Sequence, residues 1–100
     1  MSTDAALKAL AEPNRRAILR LVRDQPRSVS EIAAHFQITQ QAVSLHLRVL
    51  HDAGLVSVRR DRQRRLYLVD PDGMASLQDF FADLWPAGLD RLKQTVEGRE

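Results

Sequence analysis

Gln40, Gln41, Ser44, Leu45 and Arg48 recur at spacings that place them on one side of a helix. At 100° per residue they fall within about 140° of one another, with Val43, His46, Leu47 and Leu50 opposite. Their chemistry suits the edges of base pairs. Glutamine can bond adenine N6 and N7 with two hydrogen bonds, and arginine can do the same to guanine O6 and N7. Ser44, and Thr39 just before the helix, offer hydroxyls to bases or phosphates. Leu45 offers only apolar contact, for example to a thymine methyl. Farther along comes Arg59-Arg60-Asp61-Arg62-Gln63-Arg64-Arg65. Arginines at a strand tip have nothing apolar to pack against, so Arg60, Arg62, Arg64 and Arg65 are expected on phosphates or in a minor groove. The orientation of Arg59 and Tyr67 depends on strand position.

Other chemistries fit poorly. Ser44, His46 and Asp52 hold the residue types of a hydrolase triad, but they point different ways from one helix, with no nucleophile turn and no oxyanion loop. No catalytic residue is expected. His46 and His51 lie about 140° apart on the same helix and cannot share one ion without distortion. His46, at the edge of the buried face, reads as a hydrogen-bonded structural histidine. The sequence holds no cysteine, so it has no disulfide or thiolate site. Neither a metal site nor a cofactor is expected.

These side chains require a helix-turn-helix followed by a hairpin. A first helix is expected over 4–11, with Leu7 and Leu10 on one face. Pro13 suits the first position of a second helix, whose apolar stripe is Ile18, Leu21 and Val22 and which ends at Gln25-Pro26. Arg16 could meet a phosphate or pair with Glu12 or Glu31. Ser28-Val29 suits a one-bridge strand. Ser30 is a good N-cap for the third helix, which turns Ile32, Ala33 and Phe36 inward. Gln37 stands where a helix-ending glycine is usual, and a left-handed conformation there costs about 1 kcal/mol. Thr39 caps a fourth helix running to about Asp52, where Gly54 and Leu55 close it. Strands are expected over 55–60 and 64–69. The turn from Arg60 to Arg64 has no glycine and suggests a longer, mobile tip. Asp70-Pro71-Asp72-Gly73 reads as a turn, with Asp72 also able to cap a last helix over about 73–96, which Pro86-Ala87-Gly88 kinks or breaks. The whole is mainly α with a small β-hairpin: a single winged helix-turn-helix domain of order ααααββα over residues 1–100.

Leu10-Ala11-Glu12-Pro13-Asn14-Arg15-Arg16-Ala17-Ile18-Leu19 resembles the opening motif of ArsR-type winged-helix repressors. Ser30-Glu31-Ile32-Ala33, the run from Gln41 to Leu50, Ala53-Gly54-Leu55-Val56 and Arg64-Arg65-Leu66-Tyr67-Leu68 are similar to that family's pattern as well. The resemblance covers roughly residues 5–95. It implies a homodimeric repressor that leaves its operator on a signal, with the first and last helices forming the dimer interface. Leu7, Leu10, Leu77, Phe80, Phe81, Leu84, Trp85, Leu89 and Leu92 are the side chains expected there. Two departures stand out. Position 45, often basic in the family, is Leu. The metal-sensing members' cysteine pair on the third helix, or Asp and His ligands on the last, are absent, since no His follows His51. The chain looks more like the family's metal-free, autoregulatory branch.

Composition agrees. The net charge is only +2, and 44% of residues are hydrophobic. The charge is segregated: residues 39–65 carry six arginines (48, 59, 60, 62, 64 and 65) against Asp52 and Asp61, while residues 70–90 carry five aspartates and no basic residue. The positive part coincides with the expected DNA-binding unit. No signal peptide or membrane-length apolar run is present, so a cytoplasmic protein is expected, with double-stranded DNA and a second copy of itself as partners and no membrane. Two alternatives remain at this point. One is a protein-interaction module docking through the hairpin or the Phe80–Trp85 face. The other, a metal-responsive repressor, is disfavoured by the missing Cys and His-pair ligands.

Overall fold

A computed structural model describes residues 3–86. Five helices and one hairpin follow in the order α1 (Thr3–Leu10), α2 (Pro13–Asp24), α3 (Val29–Ala33), α4 (Gln40–Asp52), β1 (Val56–Asp61), β2 (Arg64–Val69) and α5 (Pro71–Leu84). This is the expected mainly helical winged helix-turn-helix. Ile18, Ile32, Val43, Leu47, Leu50 and Leu55 are wholly buried and form the centre of the core. Each is worth about 1.5–3 kcal/mol of burial. Helix α3 packs on α4, α4 on β1, and α2 on both α4 and β2, so both the α4 face and the hairpin are referred to one rigid core.

Local chemistry explains most boundaries. Pro13 opens α2, and the Glu12 side chain accepts from the Arg15 N–H at 3.0 Å as its N-cap. Arg16 is exposed and makes no ion pair among the described residues. Its guanidinium donates to the Leu10 and Ala11 carbonyls at 2.8 and 3.2 Å, closing the end of α1. Helix α4 ends as expected: Gly54 (φ 80°) takes the left-handed conformation, its N–H bonds His51 O, and the Leu55 N–H bonds Leu50 O, both at 2.9 Å. This paired closure drives Leu55 into the core.

Several expectations are corrected. Ser28, not Ser30, caps α3. Its hydroxyl accepts from the Glu31 N–H while Glu31 Oε1 accepts from the Ser28 N–H at 2.9 Å, a reciprocal box that Ser30 lacks the partner to make. The one-bridge strand lies at Arg27, paired with Tyr67, rather than at Ser28-Val29. Gln37 is not left-handed: among the described residues positive φ occurs only at Gly54 and Arg62. Helix α3 instead ends in a tightened turn, with the His35 N–H bonding Ile32 O at 3.0 Å and the Phe36 N–H bonding Ala33 O at 3.1 Å. The hairpin tip is short. Register pairing runs out to Asp61 with Arg64, leaving a two-residue turn of Arg62 and Gln63. Arg62 supplies the positive φ (60°) that tight hairpin turns need.

At the far end Asp70, not Asp72, caps α5, accepting from the N–H groups of Asp72 and Gly73 at 2.9 and 3.2 Å. Pro71 then occupies a first helical position, as Pro13 does in α2. Gly73 packs so close that a Cβ there would stand 1.8 Å from Gly54 O. Helix α5 stops at Leu84, with Trp85 extended (φ −80°, ψ 111°) before Pro86. The helix thus ends just ahead of Pro86, where the sequence predicts a kink or break, because the residue before a proline is pushed out of the helical region. Residues 87–100, with Leu89 and Leu92, lie outside the described residues.

Candidate nucleic-acid interface

The fourth helix presents one face because its other face is locked. Thr39 Oγ1 accepts from the Ala42 N–H at 3.0 Å and sets the first turn. Val43, Leu47 and Leu50 are each fully buried. Gln40, Gln41, Ser44, Leu45 and Arg48 are all exposed. They line one open groove of about 510 Å³. His46 sits half-buried at the boundary, its Nε2 4.0 Å from Glu12 Oε2 at the start of α2.

The wing is held at its base and bare at its tip. The Arg27 N–H bonds Tyr67 O at 3.0 Å, and the Tyr67 N–H bonds Arg27 O at 2.8 Å. Ser57 Oγ donates to Asp70 Oδ2 at 3.1 Å, and the Asp70 N–H bonds Leu55 O at 2.9 Å. Hydrogen bonds from the Gly73 N–H first, then from the Ser57 hydroxyl, hold the Asp70 carboxyl below its ordinary range. Arg59, Arg60, Arg62, Arg64 and Arg65 are exposed beyond this base.

One of these arginines is engaged. Arg64 Nη2 donates to Glu31 Oε1, linking the wing to α3 across 33 residues of sequence. Glu31 is the acidic member of the α3 capping box. Its carboxyl is held below the usual glutamate range, chiefly by the Ser28 N–H, with Arg64 adding to the effect. Among the described residues no carboxylate pairs with Arg48, Arg60, Arg62 or Arg65. This latch was not foreseen. Glu31 looked like a partner for Arg16, and no local spacing connects it to a hairpin arginine.

A second groove of about 280 Å³ runs between α4 and the wing, lined by Ser44, Leu47, Arg48, His51, Val58, Arg65 and Tyr67. Ser44 and Arg48 line both grooves, so the α4 face continues into the wing as one surface. No carboxylate lines either groove. Its chemistry is that of exposed hydrogen-bonding side chains beside the cations of Arg48 and Arg65. His51 and Tyr67 join it through tertiary packing. Among the described residues no three His, Cys, Asp or Glu side chains are gathered as a metal would require, and no helix is long and apolar enough to cross a membrane.

The residues expected at a dimer interface divide. Leu77, only 4% exposed, is spent on the core of the protomer and is corrected out of that set. Leu7 and Leu10 are half-buried against the same core. Phe80 is half-buried and stacks edge-on with Phe81, ring centroids 5.5 Å apart. Phe81, Leu84 and Trp85 are exposed together at the end of α5.

Residues 12–58 match the family described as bacterial regulatory protein, arsR family. The chain is 38% identical over 96 residues to the HTH-type transcriptional regulator Rv2034 of Mycobacterium tuberculosis, which covers 96% of this chain and 90% of that protein. Over 56 residues it is 38% identical to the transcriptional repressor SdpR of Bacillus subtilis, covering 56% of this chain and 62% of that protein. The solution structure of the homodimeric winged helix-turn-helix DNA-binding domain of Mb0332 from Mycobacterium bovis is similar at a TM-score of 0.68 and 30% identity, over 81% of this chain and 75% of that one.

Proposed function

Because the chain belongs to the ArsR family of DNA-binding transcriptional regulators, we propose that it is a homodimeric repressor that seats two α4 helices in successive major grooves of an imperfect palindrome. The observation that carries this reading is the continuity of the two grooves through Ser44 and Arg48. Bases are read by Gln40, Gln41, Ser44, Leu45 and Arg48. Arg60, Arg62, Arg64 and Arg65 hold the flanking backbone, and Thr39 reaches a phosphate at the start of α4. The exposed Phe81, Leu84 and Trp85, together with α1, form the seam between the two copies; the similar Mb0332 domain is itself homodimeric.

Repression follows from occupancy. A dimer across a promoter excludes polymerase, and the protein itself does no chemistry. It acts on the chromosome in the cytoplasm, without a resident metal, since thiolate and paired-imidazole ligands are absent from the sequence. Selection of bound duplexes from a random pool, followed by a mobility shift against competitor, tests the reading. The expected site is a palindrome with half-site centres about 34 Å apart. With six to ten phosphates engaged, affinity should fall by about 10³–10⁵ between 50 and 200 mM salt. Failure to enrich any sequence defeats the reading.

A further inference from the structure

We infer that Leu45 is a specificity determinant that reads the 5-methyl group of one thymine in each operator half-site, between an adenine met by Gln41 and a guanine met by Arg48. The inference rests on the DNA-reading function proposed above and adds the content of the site. Leu45 is 63% exposed, the most exposed large hydrophobic side chain among the described residues. It does not belong to the Phe81, Leu84 and Trp85 cluster, which lies on α5. In the groove it lines with Gln40, Gln41, Ser44 and Arg48 it is the single apolar side chain.

An apolar side chain gains nothing from water, phosphate or a hydrogen-bonding base edge. In a major groove the apolar group offered is the thymine methyl. The cations of Arg48 and the wing beside this groove select a polyanion as its occupant, so the partner is a duplex rather than an apolar peptide.

Helix geometry then orders the contacts. Gln41, Leu45 and Arg48 lie within about 60° of one another around α4. At a rise of 1.5 Å per residue, Leu45 stands about 6 Å along the axis from Gln41 and about 4.5 Å from Arg48. With base pairs stacked about 3.4 Å apart, the three contacts fit within about four successive pairs. The thymine lies inside that window, not at its edge.

The test uses the full chain and the duplex recovered by selection. Each thymine is replaced in turn by uracil, which removes only the methyl, and binding is measured for the wild type and for Leu45→Ala. Leu45 is exposed, so the variant should fold, and its thermal midpoint checks this. The expected result is one thymine per half-site at which uracil costs the wild type about fourfold, the worth of one buried methyl. The same change costs Leu45→Ala nothing, as a contact shared by the two groups requires. Uracil tolerated at every position, or costing both proteins equally, overturns the inference while the DNA-reading function stands. A selection that enriches no sequence overturns that function and the inference together.

Discussion

Replacing Glu31 by Gln should make the protein bind DNA with a steeper dependence on salt. In the free protein Arg64 is held by Glu31, and on a duplex the carboxylate competes with phosphate for the guanidinium. Glutamine removes the charge yet keeps the acceptor that the capping box needs, since Gln serves at this position as well as Glu. The fold of α3 is therefore preserved while Arg64 is freed. Each additional phosphate neutralised steepens the slope of log K against log salt by about 0.9. Between 50 and 200 mM salt, a fourfold change, one freed arginine adds about 3.5-fold to the loss of affinity. The assay is fluorescence anisotropy on a random duplex across that range, for wild type, Glu31→Gln, Arg64→Ala and the double variant. Arg64→Ala should flatten the slope by about 0.9 in the Glu31→Gln background and by clearly less in the wild type. An equal effect of Arg64→Ala in both backgrounds would refute the competition.

Three further expectations concern the scaffold. Gly73→Ala places a Cβ 1.8 Å from the Gly54 carbonyl; backbone cannot step aside as a side chain can, so a loss of at least about 2 kcal/mol is expected in urea unfolding, and an unchanged midpoint would contradict the packing of α5 on the end of α4. Arg62→Gly relieves a positive φ of 60° and should stabilise the domain by up to about 1 kcal/mol while flattening the salt slope; lower stability would show that the turn is not strained. The carboxyls of Glu31 and Asp70 are held below their ordinary 4.5 and 3.8, so what they contribute is fully present above those values and is lost as pH falls through the lowered ones. Protection factors for amide exchange at the wing base should therefore be unchanged from pH 7 to 5 and should fall only below about pH 4; a fall between pH 5 and 7 would exclude these two groups.

What the sequence made legible was local. Thr39 and Gly54-Leu55 bracket α4 through contacts within a few residues, and the burial of Val43, Leu47 and Leu50 follows from helical spacing alone. Where two local solutions competed, the tighter one won: Ser28 displaced Ser30 because Glu31 stands three residues later, and Asp70 displaced Asp72 because Pro71 follows. The tip of the wing was misjudged because Arg62 accepts a conformation usually left to glycine. The Arg64–Glu31 pair and the burial of Leu77 depend on which elements meet in three dimensions, and no spacing in the chain encodes that. The exposed face of α4 was legible for a simple reason. It is the side that the core leaves over.

The central claim is that the exposed face of α4 reads bases while the wing supplies affinity independent of sequence. The most direct measurement is the ratio of affinities for the selected duplex and a scrambled one, for wild type and Gln41→Ala at one salt concentration. The account predicts that the ratio drops by roughly tenfold to a hundredfold, the worth of one bidentate base contact, with affinity for the scrambled duplex nearly unchanged. Equal losses on both duplexes would mean that Gln41 meets the backbone and that α4 does not read sequence there.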